Sequence, residues 1–169
     1  MTMVRGSYTS VQVGKTRPAN TTAYSANDVV SEHATTGTVW TFSNLARQHS
    51  TSGYIVKARI ITDEVTGQTQ RLRLYLFNAA PTGELDDNVA STTPQYADEA
   101  QTVGIIDFDA LDNTISGADS SMSQRDDLRL SVKAANTDRD IYGILVTLDA
   151  FTPVSGQQFT ITLEMEHLN

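Results

Sequence analysis

The stretch that decides the fold is Phe159-Thr-Ile-Thr-Leu-Glu-Met-Glu166. Its apolar side chains occupy alternate positions, and every position between them is Thr or Glu. Because successive side chains of a β-strand point to opposite faces, this pattern predicts a strand with one buried face and one solvated face. The same alternation in 71–77, where Leu72, Leu74 and Leu76 share a face, and in 128–133 predicts two further half-buried strands.

Five more segments have strand-like patterns: 8–13, 38–45, 53–62, 102–108 and 141–148. Segment 141–148 is apolar on both faces, which is typical of a central strand that is covered on each side. In segment 53–62 the alternation predicts that the inward side chains are Tyr54, Val56, Ala58 and Ile60.

The connections between these segments carry turn and loop sequences. Thr66-Gly67 predicts a hairpin turn, and Pro153-Val-Ser-Gly156 separates the last two strands in the same way. Short helical turns are predicted only around 94–101 and near 120–127. Residues 82–101 and 110–126 are long acidic connections, and long ordered loops usually contact something else.

About eight strands joined by turns predict an all-β fold, namely an antiparallel β-sandwich that is jelly-roll-like, with long loops and an extended N-terminal arm. Residues 16–37 are polar, Thr-rich and weakly periodic. We therefore place an N-terminal arm at 1–36, with the option that it contributes a first strand, and the β-sandwich domain at 37–169.

Composition narrows the possible functions. The 169 residues contain no cysteine, which excludes disulfides, thiolate zinc sites and a cysteine nucleophile. The formal net charge of -8 disfavours binding to nucleic acid phosphates. No apolar run reaches the ~18–20 residues that span a bilayer, and the first residues lack the apolar core of a secretory signal. We therefore expect a protein that is kept in a soluble compartment and binds neither nucleic acid nor membrane.

Side chains that could carry chemistry are few and scattered. His33, His49 and His167 belong to no nucleophile or metal motif. The carboxylate pairs Asp107/Asp109 and Asp138/Asp140 have a spacing that could bind Ca²⁺ or serve glycoside hydrolysis, but ion-paired or solvated carboxylates at strand ends are the favoured interpretation. We predict no catalytic, cofactor-binding or metal-binding residue, no cofactor, and no enzymatic activity.

Two further groups of side chains are open to two interpretations. The aromatic residues could form a carbohydrate-stacking platform, although core packing is favoured because they alternate with polar residues in strands; they are Trp40, Phe42, Tyr54 and Phe159. Three basic pairs point outward on three strands, either as solvated edge protection or as a patch that fits an acidic partner; they are Lys57/Arg59, Arg71/Arg73 and Arg129/Lys133.

Several blocks of the chain together resemble a family of small proteins encoded in the structural modules of tailed bacteriophages. The first blocks are Arg17-Pro-Ala-Asn-Thr-Thr-Ala-Tyr24 and Asp28-Val-Val30. Trp40-Thr-Phe-Ser-Asn-Leu45, Gly53-Tyr-Ile-Val-Lys-Ala-Arg59, Leu74-Tyr-Leu-Phe-Asn-Ala-Ala-Pro-Thr82, Ile106-Asp-Phe-Asp-Ala-Leu111 and Tyr142-Gly-Ile-Leu-Val-Thr-Leu-Asp-Ala-Phe-Thr-Pro153 follow in order. The resemblance covers roughly residues 17–165 and implies a virion component, for which capsid cement or decoration proteins are the best match of fold and size.

From this resemblance we expect a capsid cement protein that binds the exterior of the phage head and bridges neighbouring capsomers. The implied partners are the major capsid protein and further copies of the chain itself, with a trimer favoured and a dimer possible. The implied location is the capsid surface of the virion, and the host cytoplasm before assembly. The alternative is a receptor-binding or carbohydrate-binding module on a head or tail fibre.

The predicted partner-binding residues lie in the N-terminal arm, in a segment too aperiodic for a core helix. They are Arg17, Pro18, Asn20, Tyr24, Val29 and Val30. Pro18 favours an extended conformation at Arg17, so the segment could add to a neighbouring sheet edge or lie between subunits. The competing interpretation is a segment that packs on its own domain.

Overall fold

The computed structural model describes residues 7–65, 68–112 and 119–168. Within these ranges the chain forms nine β-strands and one 3-10 helix, Tyr96–Gln101. The strands are β1 (Ser7–Thr16), β2 (Trp40–Phe42), β3 (Ser52–Thr62), β4 (Leu72–Phe77), β5 (Thr102–Phe108), β6 (Ser121–Arg125), β7 (Leu130–Lys133), β8 (Ile141–Thr147) and β9 (Gln158–His167).

The strands form two antiparallel sheets. Sheet I has the order β1-β9-β3, with β6 and β7 both on the far side of β3, and sheet II has the order β2-β8-β4-β5. Strand β6 pairs with Ala58–Thr62 and β7 with Ser52–Ile55, so the two occupy one strand position along β3. When β6 and β7 are counted as one strand, the sandwich has eight strands in chain order. Sheet I then has the order 1-8-3-6 and sheet II the order 2-7-4-5. This is the order of a jelly roll, and the predicted antiparallel jelly-roll sandwich is confirmed.

The core lies between the two sheets and comes from the alternation seen in the sequence. Sheet I contributes Phe159, Ile161, Leu163 and Met165, and sheet II contributes Leu72, Leu74 and Leu76, all fully buried. Strand β8 is buried on both faces, as its composition predicts. The alternating apolar positions therefore identify the face of each of these strands that forms the core.

Strand β3 departs from the predicted facing because it contains a β-bulge between Ile55 and Lys57. The bulge inserts one extra residue and reverses the alternation on one side of it. Ala58 and Ile60 face the core as predicted, but the prediction for Tyr54 and Val56 is wrong. Ile55 is buried in their place, and Tyr54 points outward.

Local signals predicted some connections correctly and others wrongly. The helical turn near 94–101 is confirmed as the 3-10 helix, whereas the region near 120–127 is strand β6. Thr66-Gly67 lies outside the described residues, but β3 and β4 belong to different sheets, so they do not form a hairpin. Strands β8 and β9 also lie in different sheets, so the turn at 153–156 crosses the sandwich rather than joining two paired strands.

Two parts of the predicted N-terminal arm, residues 7–16 and 27–30, pair with the sheets of the sandwich. Residues 7–16 are strand β1, which pairs along its whole length with β9. Residues 27–30 then extend sheet II, with Val29 bridged to Val146 and Val30 N donating to Leu145 O at 2.8 Å. The described part of 1–36 thus supplies a strand to one sheet and a covering segment to the other.

The outer faces of the two sheets are covered differently. We call residues 17–31 and 83–91 the roof, because Val29 and Leu85 pack on the outward side chains of sheet II. The side chains beneath them are Tyr75, Phe77, Tyr142, Ile144 and Val146. The outer face of sheet I carries polar and charged side chains, such as Ser10, Gln12, Thr162 and Glu164, which line a shallow groove. Sheet II thus has an apolar outer layer of its own, and sheet I presents a polar face.

Candidate functional site

The six predicted partner-binding residues divide into four buried and two half-buried ones. Tyr24, Val29, Val30 and Arg17 are at most 3% exposed within their own domain. Pro18 and Asn20 are half-buried. Val29 belongs to the apolar layer under the roof, and Val30 belongs to the main core, where its carbonyl accepts a hydrogen bond from Trp40 Nε1 at 3.2 Å. The segment therefore packs on its own domain, which was the competing interpretation, and whether it also meets a partner stays a prediction.

A buried polar network ties the two halves of the roof together. Arg17 Nη2 donates to Asp87 Oδ2 at 3.0 Å, and the side chains of both residues are 1% exposed. Tyr24 Oη donates to the other oxygen of Asp87 at 2.5 Å, and Ser31 N donates to that oxygen at 3.0 Å. The Asp87 carboxylate thus accepts three hydrogen bonds in the interior, where a satisfied polar network fixes one arrangement of its members.

Tyr24 is held by contacts to its ring as well as at its hydroxyl. The Arg17 guanidinium lies 4.6 Å from the ring centroid, and the Phe151 ring stacks at 4.9 Å with an interplanar angle of 15°. Burial raises the pKa of Tyr24 far above its ordinary value, and the neighbouring Asp87 carboxylate adds to the rise. The hydroxyl therefore stays protonated and keeps donating to Asp87.

The structure separates the three outward basic pairs that the sequence shows. Arg71 forms an ion pair with Asp149 (Nη2–Oδ1 2.7 Å), and Arg73 forms one with Asp107 (Nε–Oδ1 2.6 Å). The hydrogen bond from Arg71 lowers the pKa of Asp149 to about 2, so this pair stays ionised through the neutral range. The Arg71/Arg73 pair is therefore neutralised within the chain.

The other two basic pairs come together on the outer face of sheet I. Lys57 and Arg59 lie on β3, and Lys133 lies at the end of β7 beside it. Arg129 comes just before β7, and its guanidinium lies 4.7 Å from the centroid of the Tyr54 ring. The ion pair of Lys57 is longer than those on sheet II, at 3.7 Å to an exposed Asp126. This face thus gathers four positive charges in a chain whose net charge is -8.

In-register pairing of three strands arranges this face in rows. Gln12 and Arg59 both have Thr162 as their cross-strand partner, which makes one row. Ser10, Glu164 and Lys57 make the next row. Together the six side chains line a shallow groove across sheet I.

Two polar atoms in this groove are buried without a hydrogen-bond partner among the described residues, namely Arg59 Nε and Thr162 Oγ1. Buried polar groups are normally satisfied, so this unpaired donor and hydroxyl are exceptions within the described chain. One row further along, Tyr8 is 64% exposed and lies across Glu166 from Tyr54.

The aromatic side chains considered as a carbohydrate platform fall into two groups. Trp40, Phe42 and Phe159 are core residues, at most 1% exposed, as the favoured interpretation predicted. Tyr54 is the exception, because the bulge in β3 turns it to the outer face. Tyr8 was not singled out by sequence reasoning, because nothing in the sequence shows that its strand lies at the edge of the sheet.

The carboxylate pairs are used within the fold. Asp107 pairs with Arg73, whose hydrogen bond lowers the pKa of that carboxyl group. Asp138 accepts hydrogen bonds from the backbone of Arg139 at 2.7 Å and of Asp140 at 3.0 Å, and also from Tyr142 Oη. In the described ranges, no three His, Asp or Glu side chains are grouped so that they could hold a metal ion.

Two of the three histidines also make contacts within the chain. His167 is buried, with Nε2 2.7 Å from Thr9 Oγ1, and burial lowers its pKa. His33 Nδ1 accepts hydrogen bonds at 3.2 Å from the backbone of Thr35 and Thr36. Among the described residues no helix is both long and apolar enough to cross a membrane.

The geometry defines a class of molecule: a jelly-roll domain with one self-covered face and one open, mixed-charge face. Comparison with protein-family models found no match, and none of the curated proteins matches. Among solved structures the chain is similar to the crystal structure of Tomato Aspermy Virus, with a TM-score of 0.33 and 9% sequence identity, over 100% of this chain and 82% of that chain. This likeness is too distant to bear on function.

Proposed function

We propose that this protein is a structural component of a phage virion, a capsid cement protein that binds the assembled shell through the outer face of sheet I. The observation that carries the proposal is the difference between the two sheet faces. The chain covers the outer face of sheet II with the roof, residues 17–31 and 83–91, and leaves sheet I with a polar groove and the charged residues around it. The tailed-phage resemblance of the sequence supplies the shell as the partner.

A sheet face suits a broad and shallow partner surface. Strand ladders hold the rows of outward side chains in fixed register, so the face meets a partner with little loss of backbone freedom. The shell is such a surface, and it repeats the same patch many times. Many modest contacts on a symmetric lattice add up, and a protein that binds only the assembled shell stabilises it by mass action.

The charges on this face suggest an acidic patch on the major capsid protein. The cations on the outer face of sheet I include Lys57, Arg59, Arg129 and Lys133, and the carboxylates near them are Glu164 and Glu166 on β9 and Asp126 beside Lys57. The net charge of the chain is -8, so an acidic partner surface repels most of the molecule. The cations on the outer face of sheet I therefore favour docking through this face.

A charge-reversal experiment with a matched control tests the proposal. The double variant Lys57→Glu/Lys133→Glu alters the outer face of sheet I, and Arg47→Glu/Arg71→Glu makes the same charge change elsewhere. We expect the first variant to bind capsids that lack this protein about tenfold more weakly or worse, and the second to bind as the wild type does. The measurement is co-sedimentation of purified protein with such capsids. Equal binding by both variants would contradict docking through sheet I, and no binding by the wild type would contradict the cement role.

A second candidate function is favoured by one specific observation, the two tyrosines beside the groove. Exposed Tyr8 and half-buried Tyr54 lie next to hydroxyl, amide and charged side chains, which is the mixture that sugar rings bind. This would make the protein a carbohydrate-binding module of a head or tail fibre. A glycan array separates the two functions, because a fibre module binds particular glycans and loses them on Tyr8→Ala, whereas a cement protein binds capsids and no glycan.

A further inference from the structure

Strand β1 forms one edge of sheet I and, within the part of the chain that the structure describes, pairs on one side only. Its ten residues pair with β9 without a break, from Ser7 opposite His167 to Thr16 opposite Gln158. In the sheet order β1 is terminal. Its opposite side therefore presents a row of backbone N–H and C=O groups, which is a ready template for another strand.

The usual devices that protect a sheet edge are missing from β1. The strand has no proline and no bulge, and its ten residues make it about twice as long as a typical strand. Its single charged residue, Lys15, turns inward, where its ammonium group bonds Glu32 and Thr38. The opposite edge of sheet I, by contrast, is divided between two short strands, β6 and β7.

The direction of the unused backbone groups follows from the ladder. Arg17 N donates to Gln157 O at 2.9 Å, which continues the β1–β9 pairing one residue further. Because the hydrogen-bonding direction alternates along a strand, the odd-numbered residues bond β9 and the even-numbered ones face the free edge. The free groups belong to Tyr8, Ser10, Gln12, Gly14 and Thr16, which occupy the exposed positions of the strand on the outer face of the sheet.

The free edge of β1 is complementary to the same edge of a second copy of the chain. An antiparallel pairing with its two-fold axis at Gln12 places Ser10 opposite Gly14 and Tyr8 opposite Thr16. The same register places Val11 opposite Val13, and both of these are half-buried at the edge of the core. No like charges meet, apolar side chains meet on the inner face, and each copy offers the same groups to the other, as an isologous interface requires.

We propose that two copies of this protein associate through β1, and that the two copies of sheet I join into one continuous sheet across a two-fold axis at Gln12. The pairing does not depend on binding to a shell. It places the two open faces of sheet I side by side on the same side of the dimer, which doubles the surface available to a partner.

Two variants at Gln12 test this pairing. Gln12→Pro removes an N–H that faces the free edge and leaves the bonds to β9 intact, and proline is tolerated on strands at such positions. We expect the wild type to sediment as a dimer, and Gln12→Pro to sediment with half that mass and an unchanged far-UV spectrum. The second variant is Gln12→Lys, which should dissociate because it places two like charges on the two-fold axis. Its matched control is Gln124→Lys, on the opposite edge of the sheet, which should remain dimeric.

A positive readout uses the absence of native cysteine. In the proposed pairing the two Gln12 residues face each other at a cross-strand distance that a disulfide can bridge, so Gln12→Cys should form a covalent dimer under mild oxidation. Gln124→Cys should not. A wild type that sediments as a monomer or a trimer would overturn the proposal, and so would a folded Gln12→Lys variant that remains dimeric. If Gln12→Pro fails to fold, the lysine and cysteine variants decide.

Discussion

The outer faces of sheet I and sheet II are both formed by antiparallel strands, but loops cover one face and leave the other open. On sheet II, Ile144 and Val146 of β8 lie under Val29 and Leu85, and the loops that carry them are fixed by buried polar groups. On sheet I, the equivalent outward positions are Thr162 and Glu164 of β9, which line an open groove. The same architecture thus supports one face that is completed within the chain and one that is left for contact.

The two outer faces are held in place by different interactions. The roofed face is stabilised by burial and by a polar network without access to water, where each lost hydrogen bond leaves a partner unsatisfied. The open face is ordered by its strand ladders, and the side chains that line its groove are exposed or half-buried. Substitutions on the roofed face should therefore change the free energy of unfolding, and substitutions on the open face should change binding.

The largest effect is expected from deleting residues 1–30. The deletion removes β1 from β9 and also removes the roof residues Arg17, Tyr24 and Val29. We expect a chain without a cooperative unfolding transition, as measured by far-UV circular dichroism during heating. The control is Asn20→Ala, whose side chain accepts a hydrogen bond from Thr22 N of the same loop at 3.1 Å and which should unfold like the wild type. A truncated chain that still folds cooperatively would show that the roof is dispensable.

Breaking the buried network at its centre should have the next largest effect. Asp87→Ala leaves the Arg17 guanidinium buried without its partner and removes the acceptor of Tyr24 Oη and Ser31 N. We expect a loss of about 3–5 kcal/mol in the free energy of unfolding, which is the usual cost of removing one partner of a buried ion pair. Urea unfolding measures this. A loss similar to that of an exposed ion pair would mean that water reaches the network.

The same substitution, made once where the roof joins sheet II and once on the open face, should have different effects on stability. Thr147 Oγ1, at the end of β8 where the roof segment joins sheet II, donates to Ser25 O at 2.7 Å and accepts from Asp28 N at 3.2 Å. Thr147→Val should cost about 1–3 kcal/mol, because it leaves these groups unsatisfied. Thr162→Val removes a hydroxyl that has no partner in the described chain, and we expect a change within about 0.5 kcal/mol. Equal losses in urea unfolding would contradict the difference between the faces.

The smallest effect concerns pH at the junction of the two sheets, where Lys15 of β1 meets Glu32. Partial burial alone would raise the pKa of Glu32, but hydrogen bonds from Lys15, Thr38 and Ser31 outweigh it and lower the pKa from 4.5 to about 2. A carboxyl group whose pKa is lowered by folding stabilises the native state above pH 4.5, and this contribution is lost as the pH falls toward 2.

The matching variant is Glu32→Gln, which cannot titrate. Its free energy of unfolding should lie below that of the wild type at neutral pH, and the gap should narrow between pH 4.5 and pH 2. Urea unfolding at several pH values in this range measures the gap. A gap that stays constant would show that Glu32 contributes through packing and not through its charge.

The sequence was sufficient for most strands because their alternation directly reflects burial. It failed at β6, whose residues Ser-Met-Ser-Gln-Arg have a single large apolar side chain and lie at a sheet edge. It failed at Tyr54 because a bulge changes the facing without leaving a trace in the composition. It also assigned hairpins to connections that cross between sheets, since a turn sequence does not identify the partner of the strand that follows.

The candidate site was harder to predict than the fold. Arg17 lies in a polar, Thr-rich run, and its acceptor Asp87 is seventy residues away in an acidic loop, so neither looks buried on its own. Their burial depends on a tertiary contact that no local pattern encodes. The basic pairs were visible, but only the register of β3, β7 and β9 shows which of them share a face.

The position of β9 has a consequence for how the molecule is made. This strand leaves the ribosome after the other eight, and yet it lies between β1 and β3 in the middle of sheet I. Until it arrives, β1 has no partner and β3 lacks one of its two neighbours. Sheet I can therefore be completed only after synthesis has passed residue 167. Strands β1 and β9 pair although they are about 150 residues apart in the sequence, and such long-range pairing slows folding. A growing chain that carries an unprotected β1 and an incomplete β3 is at its most vulnerable to aggregation and proteases in that interval.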